Sequence, residues 1–150
     1  MAYKQPVSVL VIIHTPEGQV LLIERAQQPG FWQCVTGSRE ARDADLLHTA
    51  VREVREETGI EARPQDLLDW QITNTYEIYP AWRHRYAPGV MHNTEHVMSL
   101  CIPRTQSVVL SPDEHRDWQW LDWREAADVC FSPSNAEALL LLPRFFQLPK

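Results

Sequence analysis

Arg52-Glu53-Val54-Arg55-Glu56-Glu57-Thr58-Gly59 is the stretch whose reading decides this chain. On a helix, Glu53 and Glu57 sit one turn apart and Glu53 and Glu56 three residues apart, so three carboxylates share one face. Like charges at that spacing disfavour the helix by roughly a few tenths of a kcal/mol per contact. A hard divalent cation reverses the sign. Mg²⁺ takes oxygen ligands, usually one or two carboxylates together with substrate phosphates. Taken alone, the run also fits a solvated acidic face balanced by Arg52 and Arg55. What surrounds it decides between the two.

Around this run, Leu47, Ala50 or Val51, Val54 and Thr58 recur at helical spacing. Gly59 follows where a left-handed closing residue belongs, and Asp43 or Asp45 can cap the start. Upstream, Gly37 opens a polar loop that runs through Arg42. Before that, Val7–Ile13 is a continuous apolar run, the pattern of a strand buried on both faces. Thr15-Pro16-Glu17-Gly18 turns it into a second strand, Gln19–Glu24, and Phe31–Thr36 is a short extended piece. Downstream, Leu67–Tyr79 reads as one long strand or a bent pair, and Pro80–Gly89 as a polar, aromatic-rich loop. Thr94–Ile102, Ser107–Leu110 and Trp118–Leu121 read as strands, and Asp122–Cys130 and Ser134–Phe146 as helices, with Pro143 bending or ending the second. There are no repeats or linkers. The pattern predicts a single α/β domain over residues 1–150, a mixed β-sheet sandwiched between helices.

Of the 150 residues, 44% are hydrophobic and 23% charged, enough for a real core without staples. Net charge is −6 with no basic stripe, which argues against nucleic acid as a partner. An acidic protein still meets a phosphate substrate when divalent cations lie between them. Cys34, Cys101 and Cys130 are far apart and odd in number, so reduced and mostly buried thiols are expected, as in the cytoplasm. No apolar run is long enough for a membrane span. Leu139–Leu142 with Phe145 and Phe146 reads as a core-packing helix. His92 and His96 share a strand face, but no third soft ligand lies near them for zinc.

The run and its surroundings resemble the signature of the Nudix hydrolases: a glycine, a loop, then Arg-Glu-aliphatic-x-Glu-Glu-x-Gly-aliphatic. Gly37 is the glycine, and Arg52 through Ile60 match every defined position of the second half. The first half departs. The family has a glutamate six residues after the glycine and eight before the arginine. Here those counts reach Asp43 and Ala44, so the loop is one residue longer and neither counted position is glutamate. Asp43 or Asp45 would take over pairing with the arginine. Beyond the signature, Arg83-His84-Arg85-Tyr86-Ala87-Pro88-Gly89-Val90, Asn93-Thr94-Glu95 and Phe31-Trp32-Gln33 resemble the folate-pathway branch of the family.

The resemblance implies the Nudix fold and an Mg²⁺-dependent pyrophosphohydrolase, with Mn²⁺ as a substitute. In this branch the reaction would be dihydroneopterin triphosphate to dihydroneopterin monophosphate and pyrophosphate. Glu53, Glu57, Glu56 and Glu114 are the implied metal ligands, and Glu56, Glu57 or Glu114 the implied base. Gly37, Arg52 and Gly59 would hold the loop–helix shape. For substrate it implies Lys4 and Arg25 on phosphate, Thr36 facing the site, and Tyr76, Glu77, Ile78 and Tyr79 lining it. Tyr76 or Tyr79 would stack on the pterin, Glu77 would accept its N–H protons, and Ser132 and Asn135 would close the pocket. Arg83–Val90 is either a positive loop for the triphosphate tail or a rigid turn. The expected assembly is a monomer or weak homodimer in the cytoplasm. Two other readings compete: a broader (deoxy)nucleoside triphosphate pyrophosphohydrolase, and a non-catalytic Nudix-fold binding module.

Overall fold

The structure, a computed structural model, describes residues 2–149. The continuous apolar run is β1 (Val7–His14), and it is buried on both faces. Val9, Val11 and Ile13 point to one side, where they meet Ala50 and Val54 of α1 (Leu46–Thr58). Leu10 and Ile12 point to the other, where they meet Ala126 of α2 (Trp123–Val129) and Ala138 and Leu139 of α3 (Pro133–Leu141). One strand thus serves two cores, each completed by helices, which is the expected sandwich. Each fully buried Leu, Ile or Val adds roughly 1.5–3 kcal/mol.

The other strands are β2 (Gln19–Arg25), β3 (Trp32–Gln33), β4 (Val35–Ser38), β5 (Leu67–Glu77), β6 (His92–Cys101) and β7 (His115–Asp122), all in one seven-stranded mixed sheet. β1 lies parallel to β6 along its whole length. β1 and β2 are paired only beside their turn, at His14 and Val20, and then part. Beyond that point β7 flanks β2, and β4 flanks β1. The β3–β4 segment crosses the opening, pairing first with β2 and then with β1. It delivers Gly37 to the face of α1 that carries Glu53.

Gly59 ends α1 at φ 75°, with its N–H bonded to Arg55 O. Asp45, not Asp43, caps the start by accepting from His48 N. The long β5 is one strand with a bulge: Gln71 sits at φ 58° and the register with β6 slips between Asp69 and Thr73. Pro80–Arg85 winds into a 3₁₀ helix inside the expected loop.

Ser107–Leu110 is not a strand. Its backbone serves the end of α1 instead, where Val109 N donates to Thr58 O, and Val108 enters the core; Gln106 just before it accepts from Trp120 Nε1 of β7. The second C-terminal helix also stops earlier than expected, at Leu141. Pro143 follows within a 3₁₀ turn, Leu142–Arg144. Cys34 is buried, but Cys101 is exposed, and no cysteine is paired among the described residues. No helix is long and apolar enough to cross a membrane.

Candidate active site

Arg52 organises the site from below. All five N–H groups of its guanidinium are aimed at acceptors. Nε and Nη2 hold Asp43 at 3.0 and 2.9 Å, Nη2 also reaches Ser38 O at 2.9 Å, and Nη1 reaches Glu53 at 2.8 Å and Glu56 at 3.3 Å. Asp43 also accepts from Glu40 N and Thr49 Oγ1. These donors, Arg52 above all, hold its carboxyl well below the usual range, although burial acts the other way. The longer loop is thereby absorbed: an extra residue of chain brings a shorter carboxylate to the arginine.

Glu53 then has little freedom. Arg52 holds it from one side, and Gly37 lies against the other. A Cβ at Gly37 would fall inside the Glu53 carboxylate. Gly37→Ala should therefore displace Glu53, the flexible partner, and leave the backbone intact. The expected result is a loss of metal-dependent turnover on the order of 10²-fold with an almost unchanged melting temperature. A steep fall in melting temperature would show that the glycine serves the fold instead.

One turn on, Glu57 is only 4% exposed, and its Oε2 finds no hydrogen-bond partner among the described residues. Burial raises its pKa well above the ordinary value; Glu53 and Glu114 add to this, while Thr36 N–H and Arg25 act against it. Burial likewise pushes Glu53 up to about 7, despite Arg52. Glu114 comes from the loop before β7. One donor atom each from Glu57, Glu114 and His115 lie within 4.8 Å of one another. A buried carboxylate oxygen without a donor, facing further carboxylates, fits a divalent cation. His115 was not expected. Burial, then Arg25, drives its pKa down to about 4, so it is neutral, and the Gln33 amide lies 3.2 Å from its Nε2. Its position next to Glu114 was the only sequence signal. Among the described residues this is the one such cluster, and neither His92 nor His96 belongs to it.

Glu56 stands apart from that cluster. It is half-exposed and paired with Arg52 and Arg42. Opposite the carboxylates stand cations. Burial, then Arg85, lowers the pKa of both Lys4 and Arg25; Glu114 acts against this on both, together with Glu53 on Lys4 and Glu57 on Arg25. Arg25 also lies over the rings of Phe31 and Trp82. Of the two arginines left open above, Arg85 belongs to this cationic group. Arg83 instead bonds Glu77 and Ile78 O.

The expected substrate-lining residues divide between two places. Tyr76 has its hydroxyl beside Asn93 Nδ2 and, mainly through burial, a pKa raised to about 12. Thr36 faces the same side of the sheet, being opposite Leu10 in the β1–β4 register. Asn135 accepts from Cys34 N at 2.9 Å, which pins α3 to the β3–β4 junction, and Ser132 pairs with Ser134 at the start of α3. Glu77, next along β5, points away from Tyr76 and is held by Arg83. Ile78 is buried, and Tyr79 is exposed with its ring edge-on to Trp82.

The sandwich with a glutamate-bearing helix beside a strand-borne glycine defines a class. The NUDIX domain family matches residues 4–142, and the chain belongs to it. Within it, the chain is 42% identical over 140 residues to a protein of Escherichia coli K12 named dihydroneopterin triphosphate diphosphatase, covering 91% of each. It is 37% identical over 142 residues to the Haemophilus influenzae protein of the same name, covering 93% of this chain and 88% of that one. The solved structure of the E. coli dihydroneopterin triphosphate pyrophosphohydrolase superposes with a TM-score of 0.84 at 40% identity, covering 97% of both chains.

Proposed function

We propose that residues 1–150 form one cytoplasmic catalytic domain that hydrolyses dihydroneopterin triphosphate to dihydroneopterin monophosphate and pyrophosphate. The carrying observation is the buried Glu57 carboxylate, whose Oε2 has no partner among the described residues, beside Glu114 and near the cations Lys4, Arg25 and Arg85. Glu53, Glu57 and Glu114 would hold Mg²⁺, or Mn²⁺ in its place, which when bound neutralises phosphate charge and orients the attacking water. Lys4, Arg25 and Arg85 take the oxygens of the triphosphate tail. Glu56, Glu57 or Glu114 accepts the proton of the water. The pterin lodges on the sheet face that carries Thr36 and Tyr76, under the start of α3. The full coverage of relatives bearing that activity in their names supports the pterin over a general nucleotide.

The test compares pyrophosphate release from dihydroneopterin triphosphate, dATP and GTP with Mg²⁺. Clear preference for the pterin is expected. Preference for the nucleotides would favour the broader enzyme, and no release from any would leave a binding module.

Cation binding should also show in stability. Without the metal, folded Glu53 keeps its proton up to about pH 7, while the unfolded chain releases it near 4.5. Between those values the folded state binds more protons, so stability falls as pH rises, by about 3 kcal/mol for Glu53. Mg²⁺ replaces those protons. Its thermal stabilisation should therefore be small at pH 5 and large at pH 8. Equal Mg²⁺-induced shifts at both pH values, measured by calorimetry, would count against this site.

A further inference from the structure

Glu95, on the central strand β6, is 3% exposed, deeper than Glu57 or Asp43. Asp43 is surrounded by donors, whereas Glu95 Oε1 finds no partner among the described residues. Burial pushes its carboxyl up to about 7, against the smaller opposing effects of Ser134 and Asn74. A buried acceptor left unmade is strongly unfavourable, so a donor from outside the chain is the natural complement.

Its surroundings say what kind of donor. Ser8 of β1 and Asn74 of β5 lie opposite Glu95 in the register. Asn93, two residues back, shares its face and is 1% exposed. The Asn93 amide meets Ser8 Oγ at 2.7 Å and the Tyr76 hydroxyl at 3.1 Å, while its Oδ1 is unpartnered. Whichever way that amide is turned, one of its polar atoms is left over. The half-buried Ser132 and Ser134 start α3 above this group, and Thr36 lies on the same face. Thr36 also joins the two halves of the site, because its backbone N–H acts on the Glu57 carboxyl to lower its pKa against burial. A ring placed here is therefore one short strand away from the phosphate-handling carboxylates.

A carboxylate is satisfied best by two adjacent N–H donors in a fork. A 2-amino-4-oxopyrimidine edge, common to pterin and guanine, offers a ring N–H beside an amino N–H. Adenine offers one amino group beside a bare ring nitrogen, whose lone pair would face the second carboxylate oxygen. We propose that Glu95 is the specificity-determining residue of this site, reading the ring N–H and amino N–H of a 2-amino-4-oxopyrimidine, with Asn93 beside it. This rests on the pterin lodging on this face, as proposed above, and moves the ring-reading role from the Arg83-bound Glu77 to Glu95.

The test is calorimetric titration of wild type, Glu95→Gln and Glu95→Asp with dihydroneopterin monophosphate, GMP and AMP, beside kcat/KM for the three triphosphates. Glu95→Gln removes the charge at constant shape, and Glu95→Asp keeps the charge but shortens the reach. Both should lower the preference for pterin and guanine over adenine by roughly 10- to 100-fold, in affinity and in kcat/KM. Thermal melts establish that each variant is folded, and either one alone decides the matter. An unchanged preference, or an equal loss for all three ligands, overturns the proposal. Titration needs no turnover, so the two readings fail separately. A wild type that binds the pterin selectively through Glu95 yet releases no pyrophosphate defeats the hydrolase reading alone. Pterin turnover with a preference indifferent to Glu95 defeats this one alone.

Discussion

Glu57→Gln is expected to lower kcat on dihydroneopterin triphosphate by on the order of 10³-fold or more while the protein stays folded. The carboxylate is buried, without a donor on Oε2, and crowded by Glu53 and Glu114. The amide keeps the shape and removes the negative charge that a cation needs. Losing a ligand removes several kcal/mol of charge stabilisation from the transition state, and about 1.4 kcal/mol is a factor of ten. The metal-free variant should gain stability relative to wild type as pH rises above about 4.5, because burial raises the Glu57 pKa and only the wild type must keep that proton or bury a charge. Mg²⁺ should no longer raise its melting temperature. Turnover like wild type, measured as pyrophosphate release, would remove Glu57 from the mechanism. Loss of turnover with Mg²⁺ stabilisation retained would leave it a role other than holding the cation.

Arg52→Ala is expected to act on both fold and chemistry. It strands Asp43, a buried carboxylate whose largest stabilising partner is this guanidinium. Breaking one side of a buried pair costs about 3–5 kcal/mol, which in a domain of this size lowers the melting temperature by roughly 10 °C. The ionised Asp43 contributes stability above its unfolded pKa near 3.8, and that contribution fades as acid protonates it. The gap between variant and wild type should therefore be widest at neutral pH and begin to close only as pH falls below about 3.8. Arg52→Lys should rescue little, since one ammonium cannot serve Asp43, Ser38, Glu53 and Glu56 at once. Adding Asp43→Asn to Arg52→Ala should restore part of the stability but none of the activity, because Glu53 remains unanchored. Recovery of both would mean that Arg52 matters only as a partner for Asp43.

What could be read from the sequence follows the range of the interactions. α1 was legible because its periodicity, its closing glycine and its glutamate spacing are all local. β1 was legible because burial on two faces makes its central run, Val9–Ile13, apolar at every position. Ser107–Leu110 misled because an apolar, β-branched run looks the same whether its N–H groups face a strand or the end of a helix. Asp43 was one of two candidates to pair with Arg52, and only the folded loop separates it from the capping Asp45. The resemblance pointed to Glu114 but not to His115, whose place in the cluster depends on β7 lying against β2. Arg85 and Glu95 lie in segments that carry the resemblance, but no local pattern separated Arg85 from Arg83 or gave Glu95 a role. Their significance arises when Lys4 approaches Arg85 and when β1, β5 and β6 align their polar ends on one face.

The parallel pairing of β1 with β6 also governs the order in which the chain can be made to fold. β1 leaves the ribosome well before its long-range partner, His92–Cys101, which is synthesised only after α1 and β5 are complete. Until then β1 has only β2 and β4 beside it, and an open apolar edge awaits a strand not yet made. Nascent chains cut short before β6 should consequently be prey to proteases and aggregation, and protection should arrive abruptly once that strand clears the exit tunnel.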